Sequence, residues 1–349
     1  MPGDFAARLE AWYGANRRDL PWRRTRDPYR IWLSEVILQQ TRVAQGHDYY
    51  LRFVGAYPTV ERLAAAREEE VMKLWQGLGY YSRARNLLSA ARQVVALGGF
   101  PRTADGLRRL SGVGDYTAAA VASLAFGQAA AVVDGNVYRV LARVFGIEVP
   151  IDTTEGKRVF ARLAGELLDK RRPALYNQAI MDFGALQCTP RGARCGDCPL
   201  AGMCEAAASK RVDRLPVKAR RTRVVTRHLV YLYLFSDGAT LLRRRTGAGI
   251  WRGLYEPLVL EFGAPASPAD ILGHPEVRGW GSGAIFSKVM EGKKHQLTHR
   301  TLLADGYFVR LGSRPELEGG VWVDESRRGD YAVPRLVELF YECADTVCR

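Results

Sequence analysis

From Asp4 to about Glu205 the apolar positions recur at helical spacing, in IWLSEVIL (31–38), VMKLWQGL (71–78), LLSAARQVVAL (87–97), YTAAAVASLAF (116–126) and VYRVLARVF (137–145). Residues three and four apart share one helix face, so each segment predicts a helix, and the Gly, Pro and Asp breaks between them predict short connections. Further along, the period changes. HLVYLYLF (228–235), ATLLRRR (239–245), LYEPLVLEF (254–262) and GYFVRL (306–311) are short and rich in β-branched and aromatic residues. Turn signals such as Ser236-Asp237-Gly238 bound them, and they predict strands. VPRLVELFYEC (333–343) returns to helical spacing. The basic stretch SKRVDRLPVKARRTRVVTR (209–227) follows neither period and reads as a linker. The expected chain is therefore multidomain: an all-α domain over residues 1–208, a linker over 209–226 and a smaller α+β domain over 227–349.

Composition adds a partner and a compartment. A chain of 349 residues has room for about two domains, each with its own core. Lys and Arg total 51 against 37 acids, a formal charge of +14. That balance favours a polyanion, nucleic acid first, although a protein can be basic without binding one. No apolar run is long enough to span a bilayer, and MPGDFAARLEAWY lacks the shape of a signal peptide. A reduced, cytoplasmic setting away from membranes is expected.

Four of the 6 cysteines, Cys188, Cys195, Cys198 and Cys204, form a C-x6-C-x2-C-x5-C run. In a chain this long they are too tightly spaced to read as a disulfide framework. Four sulfur ligands suit a structural zinc or an iron–sulfur cluster, and spacing leaves that choice open. Cys343 and Cys348 read as incidental thiols of a tail helix.

Three further places carry candidate chemistry. Gly112-Val113-Gly114 joins two helical patterns; its glycines permit a tight hairpin and leave N–H groups open to a phosphate at the second helix's start. An ordinary αα-hairpin is the plain alternative. Asp134 precedes a helix whose apolar positions are Val137, Val140, Leu141 and Val144, so it is expected near an N-cap that favours its carboxylate. Glu35 has Ile31, Trp32, Leu38 and Gln39 as its helical neighbours. An acid on that face is expected to be half buried with a raised pKa, unless Arg23, Arg24 or Arg30 pairs with it. Two acids in such contrasting surroundings can act as general acid and electrostatic stabiliser, as cleavage of a glycosidic C–N bond demands.

Together these residues resemble the helix-hairpin-helix DNA glycosylases that carry an iron–sulfur loop. The cysteine spacing, the hairpin and the later Asp are shared with endonuclease III. LPW (20–22), WLSEVILQQT (32–41), GLGYYSRARNL (77–87) and VDGNVYRVLAR (133–143) resemble the MutY adenine glycosylases more closely. The resemblance implies a 4Fe–4S cluster on the loop 188–204, with Arg191 and Arg194 set against phosphates. It implies that Glu35 protonates N7 of a flipped-out adenine and that Asp134 stabilises the sugar cation. Tyr116 and Asn136 would hold them, and Tyr116 stands where endonuclease III-like enzymes carry a nucleophilic Lys, so strand cleavage is not expected. Trp22 and Arg23 would contact the flipped base, with Asp182 near it. Gln40, Thr41, Leu78 and Tyr80 would meet the duplex or the lesion, and Gly112, Val113 and Gly114 its backbone. Trp12, Trp32 and Trp75 are expected to be core residues.

Gly249 to Pro257 (GIWRGLYEP) resembles the Nudix-like module that ends MutY proteins, while no Glu-rich metal-binding helix follows, so nucleotide hydrolysis is not expected. In that family the module reads 8-oxoguanine through Phe-Ser-His; here Leu297-Thr298-His299 stands there, and Thr298 keeps the hydroxyl. The expected partner is double-stranded DNA with adenine opposite 8-oxoguanine or guanine, bound by a monomer. The competing readings are a glycosylase/lyase for oxidised pyrimidines and a non-catalytic, metal-stabilised DNA-binding protein.

Overall fold

Asp27 accepts the Tyr29 N–H at 2.9 Å and Pro28 fills the first turn, so α2 starts sharply and runs Pro28–Leu38. The computed structural model describes residues 2–219, 224–280 and 283–347; the linker's residues 220–223 and Cys348 lie outside them. Two compact units emerge, Met1–Ala65 with Asn86–Arg221, and Ala66–Arg85 with Thr222–Arg349. The chain thus leaves the first unit for the segment 66–85 and leaves it again after Arg221.

The first unit is helical, as the period predicts. It holds α1 (Pro2–Asn16), α2, α3 (Val43–Ala56), α4 (Val60–Ala64), and, beyond α5 (Glu68–Trp75), most of α6 (Ser82–Ala96). α7 (Ala104–Leu107), α8 (Asp115–Phe126), α9 (Gly135–Val144), α10 (Thr154–Leu167), α11 (Pro173–Leu186) and α12 (Glu205–Ala208) follow. α11 is central, packing on α1, α8 and α9. Small side chains make α8 (DYTAAAVASLAF) thin, and its buried Ala118 to Ala122 let α2 and α11 approach closely. Phe5, Leu9, Val140, Leu141, Phe160 and Phe183 fill the core. Each large side chain so buried contributes about 1.5–3 kcal/mol before entropy is counted. Trp32 is wholly buried, as a core residue should be, whereas Trp12 is half-buried at the core's margin, packed edge-to-face with Phe183 at 5.1 Å between ring centres. Residues 215–217, expected in the linker, lie on this unit: Arg143 Nε donates to Leu215 O at 3.1 Å and Ile151 N to Val217 O at 3.0 Å.

The second unit is a mixed sheet between helices. Its strands are β1 (Val225–Ser236), β2 (Ala239–Arg244), β3 (Tyr255–Glu256), β4 (Leu258–Phe262), β5 (Ile285–Gln296), β6 (Arg300–Arg310) and β7 (Gly320–Asp324). The order runs β3-β2-β1-β6-β5, with β4 also on β1 and β7 on β2; only β1 and β6 pair in parallel among these ladders. α14 (Arg335–Val347) lays Leu336, Val337, Phe340 and Ala344 on one face, and α13 (Pro268–Gly273) brings Ile271 to the other. The segment 66–85 is fastened here by α5: Arg244 meets Glu68 at 3.1 Å and Glu69 at 3.3 Å, and Lys73 Nζ donates to Tyr331 O at 3.2 Å. Trp75, at the end of α5, is wholly buried.

Candidate active site

α2 and α8 cross so that Tyr116 Oη donates to Glu35 Oε2 at 2.7 Å. None of the three arginines near Glu35 in sequence neutralises it. Arg24 pairs with Asp19, Arg30 with Asp27 and Arg23 with Asp182, and Glu35 enters no ion pair among the described residues. Burial pushes its pKa up to about 7, against the opposing pull of the Tyr116 bond and the Arg23 charge. An acid so placed carries its proton near neutrality and can deliver it.

Asp134 caps α9. Its Oδ1 accepts from Asn136 N at 2.9 Å and Val137 N at 2.8 Å, and its Oδ2 from Asn136 Nδ2 at 2.7 Å. Cap bonds alone would depress its pKa, but desolvation outweighs them and the net direction is upward. Asn136 is held in turn by Arg139, whose Nη2 donates to Asn136 Oδ1 at 2.8 Å and to Gly184 O at 2.5 Å. Arg139 Nε also reaches Cys188 O at 2.7 Å.

Trp22, Arg23, Glu35, Tyr116, Asp134 and Asn136 line one cleft of about 560 Å³, with Thr41 at its wall. That volume suits a nucleobase with its sugar. Trp22 is buried and packs edge-to-face with Tyr50, their ring centres 5.0 Å apart. Asp182 lies behind the wall, 0% exposed, in contact with Arg18 and Arg23. Gln40, just before Thr41, is exposed with a left-handed φ of 56°. Arg18 and Arg139 are lining residues the sequence reading passed over. Arg139 had one signal, a charge one turn into the apolar stripe of α9.

The hairpin stands apart from the cleft. Gly112 has φ 72°, and a Cβ there would sit 2.6 Å from Asn86 Cβ; Val113 is buried, while Gly114 and Asp115, where α8 begins, are exposed. The cysteine loop closes beyond α11. Arg143 is buried and donates to Thr189 O at 2.7 Å and to Cys188 Sγ at 3.4 Å. Arg194 Nη2 donates to Gln187 Oε1 at 2.7 Å, and Arg191 and Arg194 are both exposed. Burial and the neighbouring cysteines push the Cys198 thiol up to about 11, and Cys204 is raised in the same way. Among the described residues no three His, Cys, Asp or Glu side chains gather around a single ion position. The donor set is sulfur throughout, which fits iron–sulfur chemistry.

In the second unit Tyr80, φ 47° and 48% exposed, meets Thr298 Oγ1 through its hydroxyl at 2.5 Å. Leu78 is buried two residues earlier, and Thr298 and His299 are exposed on the turn between β5 and β6. The cleft and this pair belong to different units.

Comparison with known proteins agrees with both units. The pattern of the HhH-GPD superfamily base excision DNA repair proteins matches residues 33–164, and the NUDIX domain pattern matches residues 230–342. The chain is 49% identical over 213 residues to the adenine DNA glycosylase of Homo sapiens, covering 58% of this chain and 39% of that protein. It thus spans well under half the length of that relative. Over 329 residues it is 31% identical to the adenine DNA glycosylase of Schizosaccharomyces pombe, covering 76% of this chain and 71% of that one. Among solved structures it resembles a thermostable thymine-DNA glycosylase, with TM-score 0.56 and 33% identity over 60% of this chain and 97% of that chain. No helix among the described residues is long and apolar enough to cross a membrane. On the extent of the likeness to the Schizosaccharomyces pombe protein, the chain belongs to the adenine DNA glycosylase family.

Proposed function

We propose that the chain is a monofunctional adenine DNA N-glycosylase of base excision repair, acting on adenine opposite 8-oxoguanine and, more weakly, opposite guanine. The observation that carries this reading is the pair of acids in one cleft, Glu35 under the Tyr116 phenol and Asp134 at the cap of α9. Glu35 gives its proton to N7 of the flipped adenine. The C1′–N9 bond breaks and its electron pair leaves with the base. Asp134 opposes the positive charge on the sugar, and Asn136 and Arg139 keep its carboxylate aimed. Water adds at C1′, and its proton returns to Glu35. Tyr116 offers no amine, so no Schiff base forms and the strand stays whole.

The hairpin Gly112-Val113-Gly114 is the proposed contact to the DNA backbone, since Gly112, Gly114 and Asp115 are exposed where α8 begins and a helix N-terminus attracts phosphate. Cys188, Cys195, Cys198 and Cys204 would hold a 4Fe–4S cluster, which when bound shapes the loop against DNA. Thr298 and His299, beside Tyr80, are the proposed readers of 8-oxoguanine, and the protein is proposed to act as a monomer in the cytoplasm.

The test is a single-turnover assay on duplexes holding adenine opposite 8-oxoguanine, thymine glycol, or thymine opposite guanine, each run with and without alkali. Cutting of the adenine strand only after alkali supports the proposal. Alkali-independent cutting at thymine glycol would assign a glycosylase/lyase, and thymine release would keep the chemistry but replace the base. Binding without product would leave a non-catalytic protein. Iron and sulfide at about four each per chain would support the cluster, and zinc in their place would overturn it.

A further inference from the structure

Asp182 on α11 is the most heavily engaged carboxylate near the cleft, and it faces away from the reacting acids. It accepts from Arg18 Nε at 2.9 Å, Arg18 N at 3.4 Å, Arg23 Nη1 at 2.5 Å and Arg23 Nη2 at 2.7 Å, and it contacts Arg18 Nη2 as well. Its side chain is 0% exposed, against 12% for Arg23. Arg23 stands over the Tyr13 ring, 5.9 Å from its centre, and Tyr13 Oη is itself tied to Gln178 Oε1 at 2.8 Å. This is a rigid cage for one guanidinium.

Arg23 also lines the cleft with Glu35 and acts on it electrostatically. Among the described residues the Glu35 carboxyl accepts one bond, from Tyr116 on α8. The other charges facing the cleft are Asp134, Arg18, Arg42 from the start of α3, and Arg139. Arg139 is committed to Asn136, Gly184 and Cys188, and Asp134 to its cap. A half-buried guanidinium freed from Asp182 would seek a carboxylate, and Glu35 has capacity to accept. A buried Arg–Glu pair would keep that acid ionised and without a proton to give.

We propose that Asp182 is a positioning residue: it binds the Arg23 guanidinium so that Glu35 meets the substrate base protonated. The inference rests on the reading of Glu35 as general acid. Burial drives Glu35 up and the Arg23 charge draws it down, so fixing Arg23 fixes the balance.

The experiment is the pH dependence of single-turnover adenine excision by the full chain. Asp182→Asn should move the alkaline limb down by about one pH unit or more. Arg23→Met should move it up, whatever its effect on amplitude, and the double variant should return it toward the wild-type position. Asp182→Glu, which keeps the charge, should leave the limb nearer wild type than Asp182→Asn does. A limb unmoved in Asp182→Asn, with only the rate lowered, overturns the proposal. If that variant does not fold, Arg23→Met decides, and an unmoved limb overturns the proposal equally. Glu35→Gln separates the two readings: loss of excision supports the acid assignment, whereas full turnover overturns that assignment and the proposal with it.

Discussion

The phenol of Tyr116 on α8 donates to Glu35 Oε2 on α2 at 2.7 Å, tying the two helices together inside the cleft. The bond fixes one carboxyl oxygen and leaves Oε1 free of any protein donor among the described residues. It also favours the ionised acid, opposing burial. Tyr116→Phe should therefore have two effects of opposite benefit. The alkaline limb of excision moves to higher pH, while the rate on its plateau falls by about tenfold as Glu35 loses its aim. Single-turnover rates across pH measure both, and a limb that moves down would contradict the assigned bond.

A raised acid costs stability, and the sign is fixed. Between the ordinary value of 4.5 and about 7 the folded state binds the Glu35 proton more tightly than the unfolded state does. Stability therefore falls as pH rises through that window, and the loss persists above it. Glu35→Gln removes the ionisable group. It should stabilise the protein by on the order of 1–3 kcal/mol at about pH 8, with the gain shrinking toward about pH 4.5. Urea unfolding of both proteins at the two pH values tests this; an equal gain at both would point to packing instead.

The sequence carried the helices, both acids and the cysteine loop because each has a local signature. α8 and α9 are periodic and punctuated, and the N-cap position of Asp134 follows from where the apolar stripe of α9 begins. β5 and β7 were not legible. β5 (IFSKVMEGKKHQ) is an edge strand with one buried residue, so its polar and basic positions carry no alternation. Nor could local pattern place α5 with the sheet, because that depends on pairing Glu68 and Glu69 with Arg244, far along the chain. Asp182 shows the same limit. Its side chain is spent on Arg18 and Arg23, a relation that exists only once α11 packs near the turn after α1.

Gly184 is one such long-range requirement. A Cβ there would lie 2.6 Å from Asn136 Cβ and 2.9 Å from Asn136 O, and the backbone oxygen cannot rotate away as a side chain could. Its own carbonyl also receives Arg139. Gly184→Ala should push α9 from α11 and turn Asn136 and the Asp134 carboxylate off their line. Excision should fall by about a hundredfold or more, as a displacement near 1 Å can cost, with duplex affinity reduced far less. Rate and binding measured on one preparation separate these effects, and retained turnover would show that the helices yield without disturbing Asp134.

Tyr80 and Thr298 offer the sharpest test of the lesion assignment, because two exposed residues 218 positions apart are joined hydroxyl to hydroxyl. Tyr80 holds a left-handed φ of 47° that a non-glycine side chain adopts only under constraint. The bond places a donor and acceptor pair at the turn between β5 and β6, where a base edge could exchange with either partner. If they read 8-oxoguanine jointly, Tyr80→Phe and Thr298→Val should each narrow the preference for adenine opposite 8-oxoguanine over adenine opposite guanine. The double variant should then cost little more than either alone. A coupling of about 1 kcal/mol would be typical of directly bonded side chains. Additive losses would mean that the two residues contribute separately, and an unchanged preference in all three variants would remove them from recognition of the lesion.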